Sequence, residues 1–452
     1  MAKKKQIELT IEEKLQNALV PKEEQPYKIP SNWCWSYWKY CGKFIAGNGF
    51  KNIYQGFTQY DIPYYKVGSL KFCDEGNYLI DETNTINEEI RTKLKAVKIP
   101  VNSIIFAKIG EAIKLNRRCL NKIECCIDNN LMAFISEKYF YKYIFYWTKS
   151  LNFYELTNAT TVPALRKTDL ENIPIPLPPL NEQQRIVNRI ESLFAKLDRA
   201  KELIENTLAQ FEQNKMAILH KTFTGELTAK WRKENNIDLS SWEKIKLGKV
   251  LLPMQTKKPT GQFFRYIDID AIDNKRQIVK APKLILTEKA PSRASRGVET
   301  GNILFSMVRP YLKNIAQIDS DLSDCIASTG FYVCRCKPEL NSRFLYYLFI
   351  FDKTIDYLMQ FMKGDNSPSI RKDDLLNMKI DLPTIEEQQE IVNILDNLLA
   401  KYNKIKNLEQ QLEKIELLKK AILAKAFRGE LGTNNPDEES AENLLKEILA
   451  EK

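Results

Sequence analysis

Residues 177–197 read LPPLNEQQRIVNRIESLFAKL, and residues 382–402 read LPTIEEQQEIVNILDNLLAKY. The two stretches align without a gap at an offset of 205 positions. The match continues forward, where AILHKTFTGEL (217–227) faces AILAKAFRGEL (421–431) one residue short of that offset. It continues backward, where Pro163-Ala164-Leu165-Arg166-Lys167-Thr168-Asp169-Leu170 faces Pro368-Ser369-Ile370-Arg371-Lys372-Asp373-Asp374-Leu375. Further upstream the likeness weakens but keeps its order. Tyr64-Tyr65-Lys66-Val67 faces Tyr266-Ile267-Asp268-Ile269, Ile104–Ala107 faces Asn302–Ser306, and Ser31-Asn32-Trp33 faces Ser240-Ser241-Trp242. The chain is therefore one module used twice. In each copy the first part has diverged and the last part has not. Copies under one duty stay alike, so the later parts are expected to do one job twice. The earlier parts are expected to recognise two different things.

The similar parts read as helices. From Ile186 the seam runs Ile190, Leu193, Leu197, Ala200, Ile204, Thr207, Phe211, Asn214 and Ile218 in steps of four and three, a heptad pattern. The second copy gives Ile391, Leu395, Leu398, Tyr402, Ile405, Leu408, Leu412 and Ile415, with a phase slip at Ile405. Prolines 178, 179 and 383 precede the starts, and Asn181 or Thr384 is expected to cap the first turn, with Gln184 or Glu387 three residues on. Gly225 and Gly429 sit where C-cap glycines belong, after Phe223 and Phe427. About 40 residues at 1.5 Å each make a rod of roughly 60 Å. Pairing the two helices would bury both seams; packing each on its own domain is the alternative. The seam does not give the direction of pairing.

The divergent parts, 22–175 and 236–380, are rich in Tyr, Phe, Ile and Val in short runs: Asp61–Leu70, Ser103–Ile109, Phe264–Ile272, Asn302–Val308 and Phe331–Cys336. Short strands are expected there, with helix at Tyr139–Leu151 and Arg343–Met362, giving two α+β domains. Basic residues interleave with aromatic ones in the intervening loops. The first domain offers Lys108, Lys114, Arg117, Arg118, Arg166 and Lys167; the second offers Arg276, Arg293, Arg296, Arg309, Lys313, Arg371 and Lys372. Arg and Lys suit phosphate oxygens, and Arg reads guanine edges with two hydrogen bonds. Any one of them reads as well as a solvated surface charge; their parallel placement in two copies is what makes the group a candidate DNA-binding set.

Bulk composition narrows the classes. A chain of 452 residues with 44% hydrophobic content exceeds one ordinary core. The formal charge of +10 favours an anionic partner, and the tail after Gly432 is acidic, so the rest is more basic still. No apolar run reaches about 18 residues, and Met1-Ala2-Lys3-Lys4-Lys5 leads into a charged stretch. No membrane span and a cytoplasmic location are expected. The nine cysteines are irregularly spaced and read as reduced thiols rather than a metal site. The single histidine, His220, faces Ala424 in the second copy, which disfavours histidine-based acid–base and zinc chemistry. There is no GxxxxGK[ST] phosphate loop, and Gly47-Asn48-Gly49 reads as a turn. Asp268, Asp270 and Asp273 face Lys66, Gly68 and Leu70, so a duplicated metal site is disfavoured. No Asn/Asp-Pro-Pro-Tyr/Phe methyltransferase tetrapeptide is present. A binding or adaptor role, without catalytic or metal residues in this chain, is the expectation.

Two variable domains, each followed by Leu-Pro-x-[Leu/Ile]-x-Glu-Gln-Gln, a long helix and Phe-x-Gly-Glu-Leu, resemble the specificity subunits of type I restriction-modification enzymes. The motif stands at Leu177–Gln184 with Phe223–Leu227, and again at 382–389 with 427–431. The resemblance implies target-recognition domains at 22–175 and 236–380. It implies helical regions at 176–235 and 381–432 that pair antiparallel as a fixed ruler, in a pseudo-twofold arrangement. Residues 1–21 and 433–452 would be terminal helical segments that pack together through Ile7, Ile11, Leu15 and Leu19 against Leu444, Leu445, Ile448 and Leu449. Each domain would read one half of a split double-stranded DNA target. Two modification subunits would supply S-adenosylmethionine-dependent adenine methylation, and restriction subunits would supply ATP- and Mg-dependent translocation and cleavage. The spacer helices would carry partner docking through Ile186, Leu193, Leu197, Phe211, Phe223, Ile391, Leu398, Tyr402, Leu412 and Phe427. The rivals are a coiled-coil scaffold for proteins, with no DNA affinity, and an enzyme with an unfamiliar site, which would turn over unaided.

Overall fold

A computed structural model describes residues 10–157, 162–402 and 406–451. The side chain of Tyr402, Ile405 and Ile7 lie outside what is described. The chain forms two compact units, Met1–Glu202 with Gln411–Lys452, and Leu203–Gln410. Each unit thus joins one divergent domain to parts of both long helices.

The two divergent domains share one topology. In the first, an antiparallel sheet runs in the order Gly42–Ala46, Leu131–Ser136, Ile104–Ala107, Arg118–Leu120. In the second the order is Leu251–Leu252, Phe331–Cys336, Ile303–Ser306, Ile315–Gln317. The central strands Ile104–Ala107 and Ile303–Ser306 are buried at every residue, which suits the apolar runs Ile104–Ala107 and Ile303–Phe305. A second sheet in each contains a parallel pair: Tyr64 against Cys126 and Tyr65 against Ile127, then Tyr266 against Ile326 and Ile267 against Ala327. The upstream alignment of Tyr64 with Tyr266 and of Ile104 with Ile303 therefore joins structurally equivalent strands. A third ribbon closes each domain, Cys34–Tyr37 with Pro174–Leu177 and Glu243–Lys246 with Lys379–Leu382.

A helix covers each antiparallel sheet. Tyr141–Ser150 buries Tyr143, Ile144, Phe145 and Trp147, and Ser342–Ile350 buries nearly its whole surface. The helix expected over Arg343–Met362 is two helices, Ser342–Ile350 and Asp352–Met359. Phe351 breaks it: its backbone is extended (φ −71°, ψ 127°) and its ring stacks on Phe223 with centroids 5.1 Å apart. Burying such an aromatic outweighs one lost helical turn.

The first long helix is continuous from Leu180 to Phe223; the second comprises Ile385–Tyr402 and Lys406–Phe427. Their ends pack on domains. Ile186, Val187 and Ile190 share the first core with Leu423, Ala426 and Phe427. Ile391, Val392 and Leu395 share the second with Leu219, flanked by Met216, Ile218 and Phe223. Each fully buried aliphatic side chain is worth about 1.5–3 kcal/mol. Within the first unit Asp198 pairs with Lys419, and Lys201 with Glu416 at 3.6 Å. As one helix ascends the other descends, so the pairing is antiparallel. Leu193, Leu197, Phe211, Leu398 and Leu412 are half-buried along it.

The repeated Glu-Gln-Gln has a structural cause in each copy. Gln183 accepts a hydrogen bond from Phe140 N (3.0 Å) and donates to Pro178 O (3.0 Å). Gln388 accepts from Asn341 N (2.8 Å) and donates to Glu339 O (3.0 Å) and Pro383 O (2.8 Å). Phe140 and Asn341 are the N-caps of the sheet-covering helices, so one glutamine ties two helix starts together. A second tie repeats lower down: Lys142 to Glu191 at 2.8 Å and Arg343 to Asp396 at 3.0 Å. The caps differ. Thr384 Oγ1 accepts from Glu387 N (3.4 Å), as expected. In the first copy Pro179 fills that place and the helix starts at Leu180, so Asn181 lies in the first turn and is not the cap. Gly225 and Gly429 take φ of +79° and +74°, the left-handed turn of a C-cap.

The preceding glutamates hold the segment that follows the opposite helix. Glu387 is fully buried and bonded to Thr228, Arg232 and Trp242. Glu182 is fully buried too, bonded to Thr433 Oγ1 (2.7 Å) and Arg185, and Arg185 grips Glu438 at 2.7 and 2.8 Å. Beyond this clasp the C-terminal helix, Ala441–Ala450, lays Leu445, Ile448 and Leu449 against Leu15 of Ile11–Ala18, with Ile11, Leu19 and Leu444 at the rim. The described ends of the chain therefore pack together.

Burial pushes the Glu182 carboxyl up, whereas hydrogen bonds from Arg185 hold Glu438 below the usual carboxylate range. A depressed carboxylate stabilises the fold above its unfolded pKa and is lost as pH falls through its folded one. The wild-type chain is therefore expected to lose more stability than Glu438→Gln between about pH 5 and pH 3. Parallel acid unfolding curves for the two would show that the clasp contributes nothing.

Candidate nucleic-acid interface

Backbone pairing brings three equivalent loops of each domain to one edge, and a fourth in the second domain. In the first domain Lys108 N donates to Asn130 O (2.9 Å), Leu165 N to Lys108 O (2.8 Å), and Gly110 N to Pro163 O (2.8 Å). In the second, Met307 N donates to Gly330 O (2.9 Å), Ile370 N to Met307 O (3.0 Å), and Arg309 N to Pro368 O (2.8 Å). Thr329 N adds a bond to Arg293 O (2.9 Å). The ladders are equivalent bond for bond, and isolated bridges join Ile109 to Ala164 and Val308 to Ser369.

This edge gathers part of the basic set. Arg166 and Lys167 are exposed beside half-buried Lys108; Arg371 and Lys372 are exposed beside Arg309 and Arg293, also exposed. Arg166 and Arg371 each occupy the N-cap of a short helix, Lys167–Glu171 and Lys372–Leu376, so their side chains leave the domain at the same place. Exposed Lys114 and Arg117 follow Gly110 in the adjoining turn, where Lys114 pairs with Glu111 at 2.7 Å and lies over the Tyr154 ring.

The other candidates are spent elsewhere. Arg118 is 2% exposed and cannot reach a duplex in this fold. Its guanidinium lies 3.8 Å from the Phe153 ring centroid and donates to the Asn116 and Leu151 carbonyls at 2.6 and 2.7 Å. Burial lowers its pKa to about 9, which leaves it charged at neutral pH. The reason is positional: Arg118 opens a strand opposite Phe106, where the second domain places Ile315 opposite Phe305. Lys313 is tied to Asp352 and Ile350 O, and Arg276 pairs with Glu409 (3.3 Å) and Asp273 (3.9 Å). Arg296 is half-buried within a strand, paired with Ala327 and bridged to Thr256. Of the acidic trio, Asp268 caps a turn, Asp270 pairs with Lys283 (2.7 Å), and Asp273 accepts from the Lys275 and Arg276 amides (3.1 Å). Among the described residues no cluster of metal-ligating side chains occurs, and seven of the nine cysteines are buried.

The helix residues named for docking divide. Ile186, Ile391 and Phe427 are buried, the last against Tyr143, while Phe223 is half-buried between Phe344 and Phe351. The exposed face at the helix starts instead carries Leu180, Gln184 and Asn188 in the first copy and Ile385, Gln389 and Asn393 in the second. Leu180 and Ile385 are 45% and 39% exposed, and in each copy the Gln donates to the Asn, at 2.9 and 3.0 Å. Four of its six residues are polar, so hydrophobic periodicity does not mark this stripe; its signal is the same residue pattern repeated in both copies.

Fold and edge define a class: a tandem binding protein, with two domains of one topology that present different side chains at one edge, each followed by a repeated helix. The family model for the type I restriction modification DNA specificity domain matches it twice, at residues 52–210 and 242–417, and the chain belongs to that family. It is 28% identical over 342 residues to the type I restriction enzyme EcoDI specificity subunit of Escherichia coli, covering 68% of this chain and 76% of that one. It is 26% identical over 300 residues to the MjaVIII specificity subunit of Methanocaldococcus jannaschii, covering 62% and 67%. Among solved structures, a chain from a type I R-M system covers 90% of this chain and 100% of its own, with a TM-score of 0.66 at 20% identity. The HsdS subunit from Thermoanaerobacter tengcongensis covers the same shares, with a TM-score of 0.52 at 20% identity. No helix among the described residues is long and apolar enough to cross a membrane.

Proposed function

We propose that this chain is the non-catalytic specificity subunit of a type I restriction-modification complex and reads a bipartite double-stranded DNA target, one domain per half-site. The observation that carries this is the shared edge. The backbone frame is the same in both domains, while Lys108 and Gly110 of one stand where Met307 and Arg309 stand in the other. A fixed frame with variable side chains suits readers of two different sequences. Arg166 and Arg371, the same residue in the same place, suit phosphate contacts that fix register without reading sequence.

Two modification subunits fit the repeated helix starts, since Leu180-Gln184-Asn188 and Ile385-Gln389-Asn393 offer one exposed surface twice. An exposed residue kept alike in two copies serves binding more than packing. S-adenosylmethionine would act on those subunits, and ATP and Mg on the restriction subunits, in the cytoplasm. The test is to map adenine methylation in cells expressing the chain with its modification subunits, and again with residues 22–175 exchanged for another such domain. A split motif with one half altered by the exchange is expected. An assembled complex that leaves no split motif would sink the proposal.

A further inference from the structure

Two equivalent turns differ in what occupies their positive-φ position. Gly110 stands at φ +84°, ψ −174°, a conformation reached in practice by glycine alone. Arg309 stands at φ +48°, ψ +59°, the left-handed region that a side chain enters at a cost. Both cap the turn that follows, and both donate their backbone N–H to a proline carbonyl at 2.8 Å. The turn itself needs a positive φ, and glycine supplies one without penalty. Proline follows Arg309, and a following proline pushes its neighbour towards extended backbone. Arg309 therefore holds its place against two local preferences.

The side chain is exposed and anchored by one hydrogen bond, from Nη2 to the Asn366 carbonyl at 3.0 Å. Asn366 belongs to the loop 363–369, which the Lys363–Ser369 bridge closes on itself. A guanidinium anchored at one end is preorganised, so less side-chain freedom is lost when it meets a base edge. Lys313 and Arg276, by contrast, are engaged by carboxylates.

We propose that Arg309 is a base-reading residue of the second domain, contacting a guanine edge of its half-site with its guanidinium fork. The inference rests on the half-site reading above. Arg371, on the same edge, serves as the phosphate-contact comparison.

Glycine at the equivalent place shows which substitution spares the fold. Arg309→Gly relieves the positive φ, so its melting temperature is expected to equal or exceed that of the wild type. In the assembled methyltransferase complex, it is expected to lose about ten- to hundredfold in discrimination at one base pair of the second half-site, with the first half-site unchanged. Arg309→Lys, which keeps the charge but not the fork, is expected not to restore it. Arg371→Ala is expected to weaken binding to all sequences and to lower the salt slope by about one. A second half-site unchanged in Arg309→Gly overturns the inference and leaves the half-site reading standing. Full recovery of discrimination by Arg309→Lys overturns it too, because charge alone would then suffice. Absence of any split motif with the wild-type complex overturns both.

Discussion

Glu387→Ala is expected to destabilise the second unit by about 3–5 kcal/mol, the range for removing one partner from a buried ion pair. Glu387 is fully buried. One carboxylate oxygen accepts from Thr228 Oγ1 at 2.6 Å and from the Arg232 guanidinium; the other accepts from Trp242 Nε1 at 2.9 Å. Arg232 is itself buried, 6% exposed, with its remaining bonds to Gly225 O and Thr228 Oγ1. Alanine would leave that charge without a counterion and the indole N–H without an acceptor. Glu387→Gln keeps the volume and one acceptor but no charge, and is expected to lie between alanine and wild type. Chemical unfolding followed by the protection of second-unit amides would measure both. A loss below about 1 kcal/mol for alanine, in the range of an exposed pair, would show that water reaches the site.

The equivalent Glu182→Ala is expected to cost less. Its partner Arg185 is 37% exposed at the side chain and can turn to Glu438 and to water. The two glutamates occupy the same place in the repeat, yet different partners decide their worth. Motif identity therefore does not transfer energy from one copy to the other.

That difference marks what could be read in the chain. The repeat located both long helices, since a heptad seam and a C-cap glycine are local signals: Gly225 and Gly429 take the left-handed turn expected of them, and Ile186 and Ile391, named for docking, are buried where their helices meet the domains. Partners brought from afar left no local sign. Thr433 and Glu182 are 251 residues apart, and Thr228 and Glu387 are 159 apart. Arg117 and Arg118 look alike as adjacent loop cations in the sequence, although only the second begins a strand. A signal did exist: the aligned position in the second copy is Ile315, an apolar core residue. Arg309 stood in the candidate set for its charge, and its backbone conformation, which singles it out, has no signature in composition or periodicity.

Removing one heptad from each long helix, residues 201–207 and 410–416, is expected to shorten the gap between half-sites while leaving both half-sites unaltered. Seven residues span about 10 Å of helix, against 3.4 Å per base pair of duplex, so the gap should shrink by about three base pairs. The deletion must be paired because residues 201–207 and 410–416 face each other across the two helices, as Lys201 with Glu416 shows, and the paired cut leaves the Asp198–Lys419 pair to hold register. Removing residues from one helix alone would slide those partners past each other and move the seam off its face. A whole heptad keeps the apolar stripe in phase to within about 20°. Both domains retain the buried anchors of their helix ends, Ile186 and Val187 with Leu423, and Ile391 and Val392 with Leu219. Methylation mapping of the shortened complex reads the result directly. A motif with a smaller gap and intact halves makes the helices a ruler. A motif with the original gap would mean that contacts outside the helices set the spacing, and the ruler role would have to be given up.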